Sequence, residues 1–102
     1  MAYTIEFLKT AYEELSSLPK EAQRQIVKRV EALKNDPRPA GAEQLQGGEK
    51  LLRIRVGDYR IVYTVEGRQL IVLIVRIGHR KEVYENLKSS ASRVLIWRQR
   101  KK

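Results

Sequence analysis

Three observations predict an α+β domain in which a two-helix hairpin packs on an antiparallel sheet. Apolar residues recur at helical spacing from Leu8 to Leu33. A stretch dense in Pro and Gly follows, "NDPRPAGAEQLQGGEK", and then come three β-rich runs separated by short loops containing Gly. Helical periodicity concentrated ahead of the connector and strand signals concentrated after it indicate segregated layers, not alternating βαβ units.

The elements follow in order. "AYTIEF" sets Tyr3 and Ile5 against Thr4 and Glu6, the alternation of a first strand. Leu8, Ala11, Tyr12, Leu15 and Leu18 form one stripe of an amphipathic helix. Pro19 interrupts it and fits the first turn of a second helix, with Ser17 ahead as its cap; Ala22, Ile26, Val27, Val30 and Leu33 then continue to about Lys34. The connector is turn chemistry throughout, because Pro37, Pro39, Gly41, Gly47 and Gly48 interrupt any regular element. Runs 50–56, 59–65 and 69–77 read as a three-stranded meander, the third so nearly unbroken in Leu, Ile and Val that it should be the most buried. "GHRKEVYENLKSS" leaves the sheet and makes a short final helix, with Val83 and Leu87 one turn apart.

A length of 102 residues suits one domain with a modest core. The longest apolar run, Leu70 to Val75, is far too short to span a bilayer, and "MAYTIEFLKT" lacks the basic start and apolar stretch of a secretory signal. There is no cysteine, so disulfides and thiolate metal sites are excluded, which suits the cytoplasm. The formal net charge of +9 favours a polyanionic partner, yet residues 89–102 hold +5 of it, leaving +4 for the rest. The expected division is therefore a domain over 1–88 and a basic tail over 89–102, for which disorder or irregular packing is the default at a terminus.

The hairpin "LLRIRVGDYRIVY" poses a physical question. With Gly57-Asp58 as a two-residue loop, Arg55 opposes Arg60 and Arg53 opposes Val62, so Leu52, Ile54, Val56, Tyr59, Ile61 and Tyr63 face the helices and Arg53, Arg55 and Arg60 line the other side. Opposed like charges cost a few tenths to about 1 kcal/mol, which an anion lying over them would offset. A solvated basic face is the bland alternative. The third strand adds to the functional case by delivering Arg76, His79, Arg80, Lys81 and Tyr84 near the same open face.

The sequence of a strand, two helices, a Pro/Gly connector, "LRIRVGDYRIVY", an aliphatic strand and "GHRKEVY" resembles the RelE family of the RelE/ParE toxin superfamily over about residues 1–88. The resemblance implies the RelE-like microbial ribonuclease fold: an N-terminal strand, a two-helix hairpin on the meander, and a short C-terminal helix. It also implies a toxin that cuts mRNA in the ribosomal A site and is held inactive by an acidic, RelB-like antitoxin wrapped around it. Roles follow for Arg53 and Arg55 in the paired basic positions, Arg60 in "YR", Arg80 in the basic turn, and Tyr84. The family often carries Lys at the first two; Arg keeps the charge but cannot accept a proton.

RNA is cut without metal when its 2′-hydroxyl attacks the adjacent phosphate in line and expels the 5′-oxygen, given a base, an acid and charge stabilisation. Arg60 and Arg80 are the candidate phosphate clamps; Arg53, Arg55, Arg76 and Lys81 the backbone-binding cations; Tyr84 the preferred base; and His79, the sole histidine, its competitor, as general acid or as a sharer of the base role. No cofactor and no metal requirement is expected, since neither a phosphate-binding Gly-rich loop nor metal-ligand spacing occurs. Two rivals stand beside this reading: a ParE-like toxin acting on DNA gyrase, and a non-catalytic RNA-binding relative.

Overall fold

The computed structural model describes residues 2–45, 50–79, 82–84 and 87–101, with the side chain of Tyr84 outside the description. Strand β1 (Thr4–Phe7) leads into helices α1 (Lys9–Ser16) and α2 (Lys20–Ala32); β2 (Glu43–Gln44), β3 (Leu52–Val56), β4 (Tyr59–Glu66) and β5 (Ile71–His79) follow, then a 3-10 turn at Glu82–Tyr84 and helix α3 (Leu87–Arg100). The sheet order is β1-β5-β4-β3-β2. All neighbours are antiparallel except β1, which runs parallel to β5.

The meander forms in the expected register: Val56 opposes Tyr59, Arg55 opposes Arg60 and Arg53 opposes Val62. Gly57, at φ +59, takes the left-handed first position of the two-residue turn, which a side chain would strain. The helix junction differs in detail. Pro19 is the N-cap of α2 and makes no side-chain cap, while the Ser17 hydroxyl donates back to Glu14 O (2.8 Å) and closes α1. Gln23 Nε2 ties the junction by donating to Leu18 O at 2.8 Å. A strand of two residues, β2, emerges from the connector despite its turn composition and pairs with β3.

β1 ends at Phe7, opposite Ile74, although β5 runs on to His79. Unpaired N–H groups on that stretch of edge need acceptors. α1 lies against it, and one carboxylate does two tasks: Glu14 Oε1 accepts from Ile77 N–H at 3.0 Å, while Oε2 pairs with Arg76 Nη2 at 3.0 Å. Here the β4–β5 ladder also slips. Val62 opposes Arg76 and Tyr63 opposes Ile74, so Val75 is an extra residue, a β-bulge.

Both faces of the sheet are covered, which accounts for the unbroken aliphatic β5. On one side Ile54, Ile61, Tyr63, Val72, Ile74 and Ile77 pack on Ala11, Leu15, Ile26, Val30 and Leu33 of the helical layer. On the other, Leu51, Val62, Leu73 and Val75 meet Val83 and Val94. Residues 89–101, read from sequence as a tail, belong to α3 and the turn that ends it; Leu87, Ser90, Val94 and Trp97 recur at helical spacing along the face it turns to the sheet. Arg98 grips Glu66 with two parallel bonds (2.7 and 2.9 Å), and Lys101 and Trp97 Nε1 both reach Glu6, at 3.1 and 3.4 Å. Two of the tail's five cations, Arg98 and Lys101, thus answer acids of the sheet.

Tyr63 is fully buried and its hydroxyl donates to Pro37 O at 2.7 Å, pinning the connector to the core. Burial pushes its phenol up from the ordinary 10.0 to about 12, with nearby Arg38 and Arg29 opposing the shift. The neutral phenol is therefore favoured in the fold. Its contribution is complete below about pH 10, where the unfolded phenol begins to ionise, and is lost as pH climbs towards 12. Tyr63→Phe should cost about 1 kcal/mol at pH 8 through the lost hydrogen bond and show a smaller alkaline decline than wild type, as read by denaturant titration at pH 8 and at about pH 11.

Candidate functional site

The arginine face is built by the hairpin. Arg55 is exposed and makes no ion pair among the described residues. Arg60, across the ladder, is only 8% exposed. Its Nη1 donates to Gly57 O (3.0 Å) and Tyr59 O (2.9 Å), the carbonyls of the tight turn. The fork is thus held in place through one nitrogen, while Nε and Nη2 have no hydrogen-bond partner among the described residues. That is a cation oriented in advance, with donors to spare.

Gly78 opposes Arg60 on β5. A Cβ placed there would lie 3.4 Å from Val83 Cγ2, so the missing side chain lets the 3-10 turn fold back closely over the sheet. Val83 is buried in the second core with Val62, on the face that carries the arginines. The backbone of Tyr84, next in the turn, accordingly returns to the Arg60 side. Arg80 and Lys81, the basic-turn candidates, lie outside the described residues.

Of the remaining candidates, His79 and Arg76 are engaged elsewhere. His79 was expected near the open face, but it opposes Tyr59 and stacks on it, ring centroids 4.7 Å apart at 36°. Tyr59 packs with the helical core, so His79 sits at that opposite face, across the sheet from Arg55 and Arg60. The bulge at Val75 is the physical reason: one extra residue inverts the alternation, bringing Gly78 to the arginine side and His79 to the other. Arg76 is turned to Glu14 on α1. Arg53 stays on the arginine face, 11% exposed in its side chain, and pairs with Glu43 of β2 at 2.6 Å. Of the eight candidates, the structure brings together Arg53, Arg55, Arg60 and the backbone of Tyr84.

Sequence reasoning missed the two carboxylates that answer its arginines, Glu14 and Glu43, because each is distant in sequence from its partner. It also passed over Gly78, although a glycine inside an aliphatic strand signals close approach of another backbone. Among the described residues no cluster of three or more His, Cys, Asp or Glu could hold a metal ion, and no helix is long and apolar enough to cross a membrane.

A family model described as the ParE toxin of the parDE type II toxin-antitoxin system matches residues 5–84, most of the chain and all of the sheet but Thr4. The chain belongs to the RelE/ParE toxin superfamily. Within it the likeness to RelE toxins is broad. A RelE-like toxin protein of Escherichia coli is 32% identical over 97 residues, covering 91% of this chain and 100% of that protein. Toxin RelE1 of Methanocaldococcus jannaschii is 28% identical over 89 residues, covering 84% and 99%. Among solved structures, the RelE–RelB complex of Pyrococcus horikoshii superposes with a TM-score of 0.69 at 29% identity, over 78% of this chain and 97% of that one. These similarities identify a RelE-family toxin of a type II toxin-antitoxin system with the RelE fold.

Proposed function

We propose that this RelE-family toxin is a ribosome-dependent endoribonuclease that cleaves mRNA in the A site and thereby inhibits translation. The observation that carries the reading is the face formed by Arg55 and Arg60, onto which the close approach at Gly78 returns the turn bearing Tyr84. In the scheme, Arg60 and Arg80 stabilise charge on the phosphorane as the 2′-hydroxyl attacks, and Arg55, Arg53 and Lys81 hold the backbone. Tyr84 takes the proton of the 2′-hydroxyl, and water protonates the departing 5′-oxygen. His79, on the opposite face, and Arg76, engaged by Glu14, take no step. The partners are the ribosome with its mRNA and a cognate antitoxin; the relative from Pyrococcus horikoshii was solved in complex with RelB.

The test is purified protein added to programmed ribosomes, with primer extension locating cuts. Tyr84→Phe should reduce cleavage about 10²–10⁴-fold, the range for losing a general base, while leaving ribosome binding intact. A variant as fast as wild type would remove the phenol from the mechanism. The matching family model is described as ParE, which favours one second reading, inhibition of DNA gyrase. A supercoiling assay run in parallel separates the two. Inhibited supercoiling with intact mRNA would select the second.

A further inference from the structure

One acid stands on the arginine face. Glu43 belongs to β2, whose two residues pair with β3 so that Glu43 opposes Arg53 and Gln44 opposes Leu52. Opposed residues share a face, so the carboxylate falls on the side that carries Arg53, Arg55 and Arg60. There Glu43 Oε2 lies 2.6 Å from Arg53 Nη2. The partners are unequally placed, the Arg53 side chain 11% exposed and that of Glu43 64% exposed. The acid thus sits on the solvent side of a guanidinium that is otherwise largely enclosed.

The three arginines of the hairpin consequently stand in three states. Arg60 is fixed by turn carbonyls, Arg55 is exposed with no ion pair among the described residues, and Arg53 is engaged by an acid. A carboxylate and a phosphate offer the same pair of oxygens to a guanidinium, so RNA takes Arg53 where Glu43 gives it up. Release costs little, because the carboxylate is already mostly hydrated and a pair open to water is weak. β2 is anchored without this side chain, by its ladder with β3, by Leu45 N–H donating to Leu51 O at 2.8 Å, and upstream by the Tyr63 hydroxyl on Pro37 O. The carboxylate can therefore turn away while the strand stays in place. We propose that Glu43 is a positioning residue that occupies Arg53 in the free protein and yields it to an RNA phosphate, a carboxylate-for-phosphate exchange that sets the affinity for single-stranded RNA. The inference rests on the RNA-backbone role given to Arg53 above and adds to that surface a residue of opposite sign.

The test is the anisotropy of a short fluorescein-labelled oligouridylate titrated with the full chain across a range of salt. Glu43→Gln removes the charge but keeps an oxygen that can accept from Arg53, so its melting temperature should match wild type. It should bind about two- to fivefold more tightly, the range for undoing an ion pair open to water. Its plot of log affinity against log salt should be steeper by about 0.7, one further net phosphate contact on a single strand. In an Arg53→Gln background the same substitution should add little. Unchanged affinity and slope in Glu43→Gln, the result expected of a merely structural acid, overturn the proposal. A gain that persists in Arg53→Gln also overturns it, since Glu43 would then act as a diffuse charge and not through Arg53. So does failure of wild type to bind the oligouridylate at low salt. The titration contains no ribosome, so failure of the cleavage reading and failure of this exchange are separate results.

Discussion

Arg60→Ala should lower ribosome-dependent mRNA cleavage by about 10²–10³-fold, the usual cost of removing one donor from a site that stabilises developing charge. The magnitude follows from how the guanidinium is held. Its Nη1 is fixed by the turn carbonyls of Gly57 and Tyr59, so the remaining donors need no reorganisation when the phosphorane forms. Arg60→Lys is the sharper variant. It retains the charge, but a single ammonium cannot hold both carbonyls and still present a planar fork, so a loss of at least about tenfold is expected. Either variant gives up hydrogen bonds at one hairpin turn, a stability cost of about 1–3 kcal/mol, which denaturant unfolding measures separately. Full activity in Arg60→Lys would show that charge alone suffices and that the oriented fork is not used.

Removing residues 89–102 should destabilise the domain by about 3–5 kcal/mol, a large share of the 5–15 kcal/mol typical of a domain. Val94 is wholly buried, and burial of one such side chain is worth about 1.5–3 kcal/mol. Trp97 adds partial burial, and its departure with Val94 uncovers Leu73 and Val75 on β5. The two-pronged pairing of Arg98 with Glu66, partly shielded from water, is lost as well. Guanidinium titration of the shortened chain should show a lower midpoint and a smaller slope, since less surface is exposed on unfolding. An unchanged midpoint would mean that α3 contributes nothing to the fold.

The two experiments fall on either side of what the sequence made legible. The hairpin register was readable because a two-residue loop fixes which residues oppose, and Gly57 marks the turn; the face of Arg53, Arg55 and Arg60 follows from those facts alone. The parallel docking of β1 on β5 leaves no local trace, since Thr4 and Ile71 are joined only by the completed fold. The position of His79 was obscured by a single surplus residue at Val75, which inverts everything beyond it, and nothing in "LIVLIVRIGH" announces a bulge. α3 was hidden by its own composition. Val94, Leu95, Ile96 and Trp97 are contiguous, so they read as a patch, while on a helix Val94 and Trp97 turn inward and Leu95 and Ile96 outward.

The outermost strands of the sheet are short, four residues in β1 and two in β2, and where β1 stops the Glu14 carboxylate closes the row. A long bare ladder is the usual template on which one chain recruits another into aggregates. A toxin stripped of its antitoxin would otherwise face that hazard at the moment it becomes active. Brevity at the margins, together with the high positive charge, works against such pairing between liberated molecules.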